Sequence, residues 1–567
     1  MGKLLKTALW LKGGLIQRSF DRATMDPQAT QAILLKNILR NNQGTLYGTE
    51  HGFSKIADSA TFASVVPINT FTELAPYVER MKKGERNILT HDQPVLFNLT
   101  SGTTDKPKYV PVTKNGMALV ANTSHQWLYR ALRDHPTFVD HSIICISGAA
   151  IEGETVSGIP YGSASGMMYE ALPRMLHQSF ALPFLLSEIK NYDLRYYVMA
   201  RLALENEASF IVTPNPTTLI KLAETGILHQ EVIIRSIRDG VLTDPWVGQN
   251  SSSPEDSRIL AIISARLRKN PSKAKLLEQV IQQHSKLLPF ACWKELKLIA
   301  CWLGGSIGFQ ADKLSAYFGH DVPKRDVGYL SSEGSFTIPY EDNTPAGILA
   351  LHNNYYEFTP IDTTPTTGTR TLLCHELENG KQYKIILTSS NGLYRYDIHD
   401  IIEVRGFYNS TPVIAFVRKG DDMLNITGEK LHANHFIEAF RRLKDAHDLS
   451  VTQFRIVPNY KDLRHELLIH LGTEVSQEFL QDTVLPLIDK SLSESNIEYD
   501  GKRKSKRLNP PCLHIMDKTW TDDASRCFIK SGHRDVQYKW RTVAAEISDV
   551  DARHIQHTIV IQKGNNG

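Results

Sequence analysis

The chain has 567 residues, 41% of them hydrophobic and 22% charged, with a formal net charge of +3. That length supports a large buried core in roughly three or four units, or one large and one small, and the near-neutral balance leaves no electrostatic footprint for nucleic acid. Six scattered cysteines with no CxxC pair exclude a disulfide framework and a zinc site of that type, and no apolar run reaches the roughly 18 to 20 residues of a membrane span, so the expected setting is the reducing cytoplasm.

The opening segment, MGKLLKTALWLKGGLIQRSF, reads as a basic amphipathic helix packed on the domain. Lys12 interrupts its apolar stretch, no small-residue cleavage site follows, and Lys6 stands where a myristoylation signal needs serine or threonine. Apolar residues at helical spacing predict helices over 26–42, 115–132, 184–204 and 257–286, separated by strand-like PVLFNL (94–99), SIICISG (142–148) and FIVTP (210–214). This alternation predicts an α/β large domain.

From Gly347 the pattern turns to strands. TLLCHELENGKQYKIILTS (371–389) predicts two strands joined at Asn379-Gly380, a dipeptide suited to a type I′ turn. TPVIAFVRKGDD predicts a strand that ends in a charged break at Arg418 to Asp422. A helix over 431–443, strands VTQFRIV and ELLIHLG and a second helix over 476–492 then make a small α+β domain, which places the division at Gly420: a large domain of 1–420 and a small one of 421–567. GKRKSKRL (501–508) reads as a solvated, charged hairpin, and the two histidines of HANH (432–435) lack a third ligand for a metal.

Three loops carry chemistry. TSGTTDKPKYVPVT (100–113) follows an apolar strand and precedes a helix whose N-cap is Thr113, so it is expected at a strand-to-helix turn, where free backbone N–H groups meet anions. Gly102 permits the bend, Ser101, Thr103 and Thr104 bring hydroxyls, and Lys106 and Lys108 bring charge; the set suits a polyphosphate without matching Walker A spacing. In VGYLSSEGSFTIP (327–339), Glu333 beside such a loop is a candidate for Mg²⁺, which takes one or two carboxylates plus phosphate oxygens. In GLYRYDIHDIIEVRGF (392–407), Asp397 and Asp400 point to opposite faces if the run is extended, leaving one to accept from ribose hydroxyls; the plain alternative is a weak surface pair of Arg395 with an aspartate.

Taken in order, these stretches resemble the adenylate-forming superfamily of acyl-CoA synthetases, adenylation domains and luciferases, and within it the auxin-responsive Gretchen Hagen type of acyl acid amido synthetases. Ser101 to Pro111 is similar to the family's phosphate motif, Tyr329 to Glu333 to its YxSSE motif, Gly392 to Asp400 to GLYRYRVGD, VRKGDDMLNITGEKL to the hinge and the start of the mobile small domain, and DVQYKW to a late NQYK segment. Asp105 and His399 stand where glycines are expected, Tyr109 where CoA ligases carry the last glycine of KPKG, and the PKTxxGK motif of CoA ligases is missing.

The resemblance implies a large domain of β-sheets flanked by helices with a β-barrel-like part, followed by a small mobile α+β domain. It implies ATP and Mg²⁺, a small carboxylic acid converted to acyl-AMP, and an amine, an amino acid above all, as acceptor. It implies that Ser101, Gly102, Thr103, Thr104, Lys106 and Lys108 cradle phosphates and that Glu333 holds Mg²⁺. Tyr329 and Ser332 then line the adenine and α-phosphate region, Gly304, Gly305 and Ser306 run along the base and acyl pocket, Asp400 meets the ribose, and Arg418 is the hinge-side arginine. Lys430 and Lys539 are the small-domain cations for α-phosphate or pyrophosphate. The acyl pocket is expected between the helix over 115–132 and the segment 157–172.

Overall fold

Two helices open the chain, α1 (Gly2–Met25) and α2 (Pro27–Asn42). The Asp26 carboxylate accepts from Ala29 N at 2.9 Å, and Pro27 brings the preset φ of a first helical position, so α2 starts where its cap dictates. Strands β1 (Pro94–Thr100) and β2 (Lys108–Thr113) pair antiparallel, with Thr100 opposite Lys108. Helix α3 (Lys114–Asp134) follows, capped by the Thr113 hydroxyl on Gly116 N at 3.1 Å. The basic first helix packs along α3, where Trp10 meets Tyr129 at 5.0 Å. The computed structural model describes residues 2–100, 108–148, 151–162, 166, 179–243, 253–361, 363, 370–420, 423–427, 429–530 and 540–560.

The segment 101–107 therefore joins two antiparallel strands and not a strand to a helix. Pro111 hides β2 from sequence reading, because proline within a run argues against a strand; here it sits opposite Phe97 in a strand at the sheet edge, where a missing N–H is tolerated.

A second sheet consists of β3 (Ser142–Cys145), β4 (Ala208–Val212), β5 (Leu298–Ala300) and β6 (Lys324–Arg325), parallel and in chain order. Ile144, Ile211 and Ile299 are sealed from solvent, as strands covered on both faces require. Two helical runs read as continuous are broken. Asn191 caps Tyr192–Glu205 after a short 3₁₀ turn at Phe184–Glu188, and Asn270-Pro271 starts Pro271–His284 after Pro254–Ser264. Apolar periodicity runs across such caps, whereas asparagine side chains and a proline end one helix and begin the next.

Past a short antiparallel pair, β7 (Leu330–Ser331) and β8 (Gly334–Ser335), comes the sheet that stands where a barrel-like part was expected. It is a six-stranded sheet of β9 (Thr337–Pro339), β10 (Gly347–Leu349), β11 (Asn354–Pro360), β12 (Gln382–Ser389), β13 (Tyr396–Tyr408) and β14 (Thr411–Lys419), in the order β9-β10-β14-β13-β12-β11. The hairpin expected at Asn379-Gly380 is absent. Residues 374–376 form a 3₁₀ turn in which Glu376 accepts from Leu373 N at 2.8 Å, and that side chain competes with strand pairing for the backbone, leaving one bridge from Leu372 to Phe358.

Arg395 is not in a surface pair with an aspartate. It is fully buried, donating from Nε to Glu357 at 3.0 and 3.2 Å and from its Nη1 nitrogen to the carbonyls of Ala63 and Val66 at 2.7 and 2.8 Å. Nor is its segment regularly extended: between two paired positions β12 has one residue, Ile385, where β13 has three, Ile398, His399 and Asp400. His399 takes φ +58°, so alternation does not govern where Asp400 points, and Asp397 and Asp400 are both buried.

The chain divides into two compact units, Met1–Val417 and Arg418–Gly567. The second is a four-stranded sheet of β15 (Val451–Asn459), β16 (Arg464–Leu471), β17 (Cys512–Met516) and β18 (Ile555–Val560), packed with α4 (Ala433–His447), which itself lies against α5 (Leu485–Ser495). GKRKSKRL is no hairpin: its first residues finish the helix Ile497–Lys504, capped by Asn496 and tied down by Arg503 on Asp489 at 2.7 Å. No helix among the described residues is long and apolar enough to cross a membrane.

Removing one partner of a buried ion pair leaves an uncompensated charge. Glu357→Ala is expected to cost about 3–5 kcal/mol in urea unfolding of the full chain, and adding Arg395→Met to it should recover a large part of that loss.

Candidate active site

The described parts of the three candidate loops meet in the first unit. Asn98 of β1 donates from Nδ2 to the carbonyl of Ser332 at 2.9 Å, joining the strand that enters the phosphate-loop candidate to the SSE turn. On the exit side, Asn391 Oδ1 accepts from Thr113 N and Oγ1 at 2.9 and 3.0 Å, binding the end of β2 to the turn before GLYRYD. Gly392 completes that turn at φ +90°, where a Cβ would lie 2.7 Å from Leu89 Cβ. The loop's own residues Ser101, Gly102, Thr103, Thr104 and Lys106 lie outside the described residues, as do Lys539 and the side chain of Ser306. Lys108 is described: its ammonium lies 5.8 Å from the Phe71 ring.

Tyr329 and Asp400 are hydrogen-bonded, the hydroxyl donating to Oδ2. Burial, and then the adjoining carboxylate, holds the Tyr329 hydroxyl well above its ordinary range, so it stays protonated and remains a donor. Its ring stacks on Phe336 at 4.2 Å and tilts against Phe416 at 5.5 Å. The same Phe416 closes on the double glycine: Gly305 takes φ +60°, and a Cβ there would be 3.0 Å from the Phe416 ring. Gly305, Tyr329 and through it Asp400 are thus linked by the Phe416 side chain, Gly304 lies against the Phe416 carbonyl oxygen, and Ser332 reaches them through the YLSSE segment.

Glu333 is nearly buried, and its backbone N–H donates to Ser331 Oγ at 3.2 Å. Among the described residues no donor reaches its carboxylate, and its charge adds to the burial that raises the hydroxyls of Tyr329 and Tyr396. A hard oxygen ligand left available at a water-poor position fits Mg²⁺.

Asp326 was not legible as a site residue. Its carboxylate accepts from Leu303 N at 2.7 Å and Gly328 N at 2.6 Å, so one buried side chain holds both the CWLGGSIG loop and the VGYLSSE segment. Burial raises it to about 7 despite those two bonds. "RDVG" carries no pattern that marks it; its role comes from β6 ending beside the loop after β5.

In the second unit Arg418 is buried, donating to the Lys419 carbonyl at 3.1 Å and meeting His432 Nε2 at 3.2 Å. Burial and then Arg418 lower His432 to about 3, so the ring is neutral and Nε2 can accept. Lys430 is exposed on a fixed backbone: Asn496 Nδ2 donates to its carbonyl at 2.9 Å, and the preceding Glu429 is sealed against His465 at 2.9 Å. Burial pushes Glu429 up, but His465 and the N–H groups of Thr427 and Ile426 outweigh it and hold it at about 2.

A carboxyl whose folded value is raised from 3.8 to about 7 binds more protons in the folded than in the unfolded chain across that interval. Its contribution to stability is complete below pH 4 and is lost as pH rises through 7. The melting temperature of the wild type minus that of Asp326→Asn should therefore fall between pH 4 and 7 and be flat above; a difference independent of pH contradicts the assignment.

Residues 16–323 match the GH3 family N-terminal domain, 347–419 the GH3 family central domain and 433–546 the GH3 family C-terminal domain. The jasmonoyl–L-amino acid synthetase JAR4 of Nicotiana attenuata is 25% identical over 542 residues, covering 92% of each chain. The 4-substituted benzoates–glutamate ligase GH3.12 of Arabidopsis thaliana is 22% identical over 543 residues, covering 91% of this chain and 92% of its own. Among solved structures, a GH3.15 acyl acid amido synthetase shares the fold with a TM-score of 0.82 at 19% identity over 96% of each chain. With the N-terminal match alone spanning more than half the chain and two further domains in register behind it, the protein belongs to the GH3 family.

Proposed function

We infer that this protein is an ATP-dependent ligase that adenylates a small carboxylic acid and transfers the acyl group to an amine, an amino acid being the acceptor that the names of JAR4 and GH3.12 point to. The observation that carries the reading is the Tyr329–Asp400 bond, which joins two of the three motif segments beside the double-glycine loop. The chemistry needs two steps. A carboxylate oxygen attacks the α-phosphorus of ATP, the bond to the β-phosphate oxygen breaks, and pyrophosphate leaves. A neutral amine then attacks the acyl carbon, the bond to AMP breaks, and the amine loses a proton. Activation is required because a free acid would have to expel hydroxide or oxide, whereas AMP leaves readily.

In this reading Asp400 accepts from ribose hydroxyls while Tyr329 holds its other oxygen, so the carboxylate is oriented before nucleotide arrives. Phe416 and the Gly304-Gly305 backbone give the base a flat apolar wall. Ser101, Gly102, Thr103, Thr104, Lys106 and Lys108 cradle the phosphates, with Ser306 and Ser332 at the edges. Glu333 would hold Mg²⁺, which when bound neutralises phosphate charge. Lys430 and Lys539 are assigned to the α-phosphate or the pyrophosphate, serving one half-reaction and leaving for the other, with Arg418 to Asp422 as the hinge at the 1–420 and 421–567 division. The six free thiols support a reducing, cytoplasmic setting.

The test is carboxylate-dependent exchange of labelled pyrophosphate into ATP with a panel of aryl, indole and fatty acids, followed by addition of amino acids or CoA. Exchange with one acid class and an amide product with an amino acid are expected; thioester formation with CoA instead overturns the acceptor. Glu333→Ala should lower exchange at least about 100-fold and Lys430→Ala about 100-fold in one half-reaction. Full turnover by Glu333→Ala would remove it from the metal site.

A further inference from the structure

The sheet of the second unit carries a side-chain cluster that the ligase chemistry does not use. Cys512 and His514, two apart on β17, point to one face, and Glu466 of β16 stands beside them, in register with Cys512. Their sulfur, imidazole nitrogen and carboxylate oxygen lie within 4.8 Å of one another, the one such group of three among the described residues, and all three side chains are buried. Cys512 Sγ is 3.7 Å from His514 Nε2, which is 2.8 Å from Glu466 Oε2. Around a tetrahedral ion with bonds of about 2.0 to 2.3 Å, ligand atoms stand roughly 3.3 to 3.6 Å apart. Sγ and Nε2 are already near that separation, and Nε2 and Oε2 reach it by parting about half an ångström.

The far side of each polar ligand is tied down. Glu466 Oε1 accepts from Asn459 Nδ2 at 2.8 Å and from Arg464 Nε at 3.0 Å, which leaves Oε2 toward the cluster. His514 Nδ1 lies 2.9 Å from Thr558 Oγ1 on β18; with the ring proton on Nδ1 donated to that hydroxyl, the Nε2 lone pair is free for an ion. Carboxylate and imidazole thus each have the outer partner that orients a metal ligand. Charge points the same way: a carboxylate and a thiolate together neutralise a divalent cation, so it can be buried between the strands without net charge. A thiolate beside an imidazole favours zinc over the hard cations magnesium and calcium.

We propose that Glu466, Cys512 and His514 bind one Zn²⁺, with water as the fourth ligand, and that the ion fastens β16 to β17. Burial and then the Glu466 carboxylate push the ion-free thiol up to about 12, so Cys512 enters as S–H. As the Zn–S bond forms, the S–H bond breaks and its proton goes to solvent. The imidazole proton shifts from Nε2 to Nδ1, and no electron is transferred. The site is distinct from the Mg²⁺ position assigned to Glu333 in the first unit and does not rest on the ligase reading.

The test uses full-length protein, freed of any affinity tag, stripped with a chelator and titrated with Zn²⁺ against a chromophoric competitor. One equivalent per chain is expected. Its affinity should fall at least about 100-fold in Cys512→Ser and about tenfold in Thr558→Val, which removes only the outer hydrogen bond, and should be unchanged in Cys527→Ser. Co²⁺ in place of zinc should give a thiolate-to-cobalt charge-transfer band that Cys512→Ser lacks, and zinc should raise the melting temperature of the wild type and not of that variant. If Cys512→Ser does not fold, the cobalt band and Thr558→Val decide. Failure to hold one equivalent, absence of the band, or affinity indifferent to Cys512→Ser each overturns the proposal and leaves Glu466 and His514 as a buried hydrogen-bonded pair.

Discussion

A guanidinium with no access to water holds the first unit together. Arg395 is planar and permanently charged, and the fold surrounds it with acceptors: the Glu357 carboxylate from β11 and two carbonyls from the helix and turn at 63–66. Stripping such an ion of water costs several kcal/mol, so the segments that repay it cannot drift apart independently. The neighbouring backbone adds to the tie. Asn69 N donates to the Arg395 carbonyl at 2.9 Å, Asp397 N donates to the Asn69 carbonyl at 2.8 Å, and Asn69 Nδ2 reaches the Tyr394 carbonyl at 2.7 Å. The position of Asp400, a few residues on, is inherited from this arrangement.

Asp326 is the electrostatic opposite, a buried carboxylate whose only described partners are two backbone N–H groups. Where Arg395 gathers secondary structure, Asp326 gathers loops. Both lie one or two steps back from the residues assigned to the nucleotide. The division of labour is physical: the groups behind the site are each held by several bonds, so that the groups in front of them hold still.

Much of this was legible in the chain. TSGTTDKPK, YLSSE and GLYRYD are legible by composition and order, and Thr113 is legible as a cap because a hydroxyl three residues ahead of a free N–H is a local relation. What sequence could not give was partnership across hundreds of positions. Asn98 with Ser332 and Asn391 with Thr113 depend on which strands lie side by side. Glu357 for Arg395 was missed for the same reason, since the nearer aspartates were the only visible candidates. Where local reading failed, a side chain overruled periodicity: Asn191 and Asn270 cut helices that the apolar spacing ran through, and Glu376 turned a strand-like run into a turn.

The hairpin at β1 and β2 sets a rule about substitution. Thr100 faces Lys108, so the intervening stretch is anchored at both ends to a ladder whose side chains alternate. Replacing a residue within it leaves the ladder intact. The paired register buries Val110, Pro111, Val112 and Thr113 together, so both faces of β2 are packed at this end and the ladder is pinned whatever the stretch contains. Substitutions such as Asp105 can therefore accumulate in this stretch while the strands at its two ends keep their pairing.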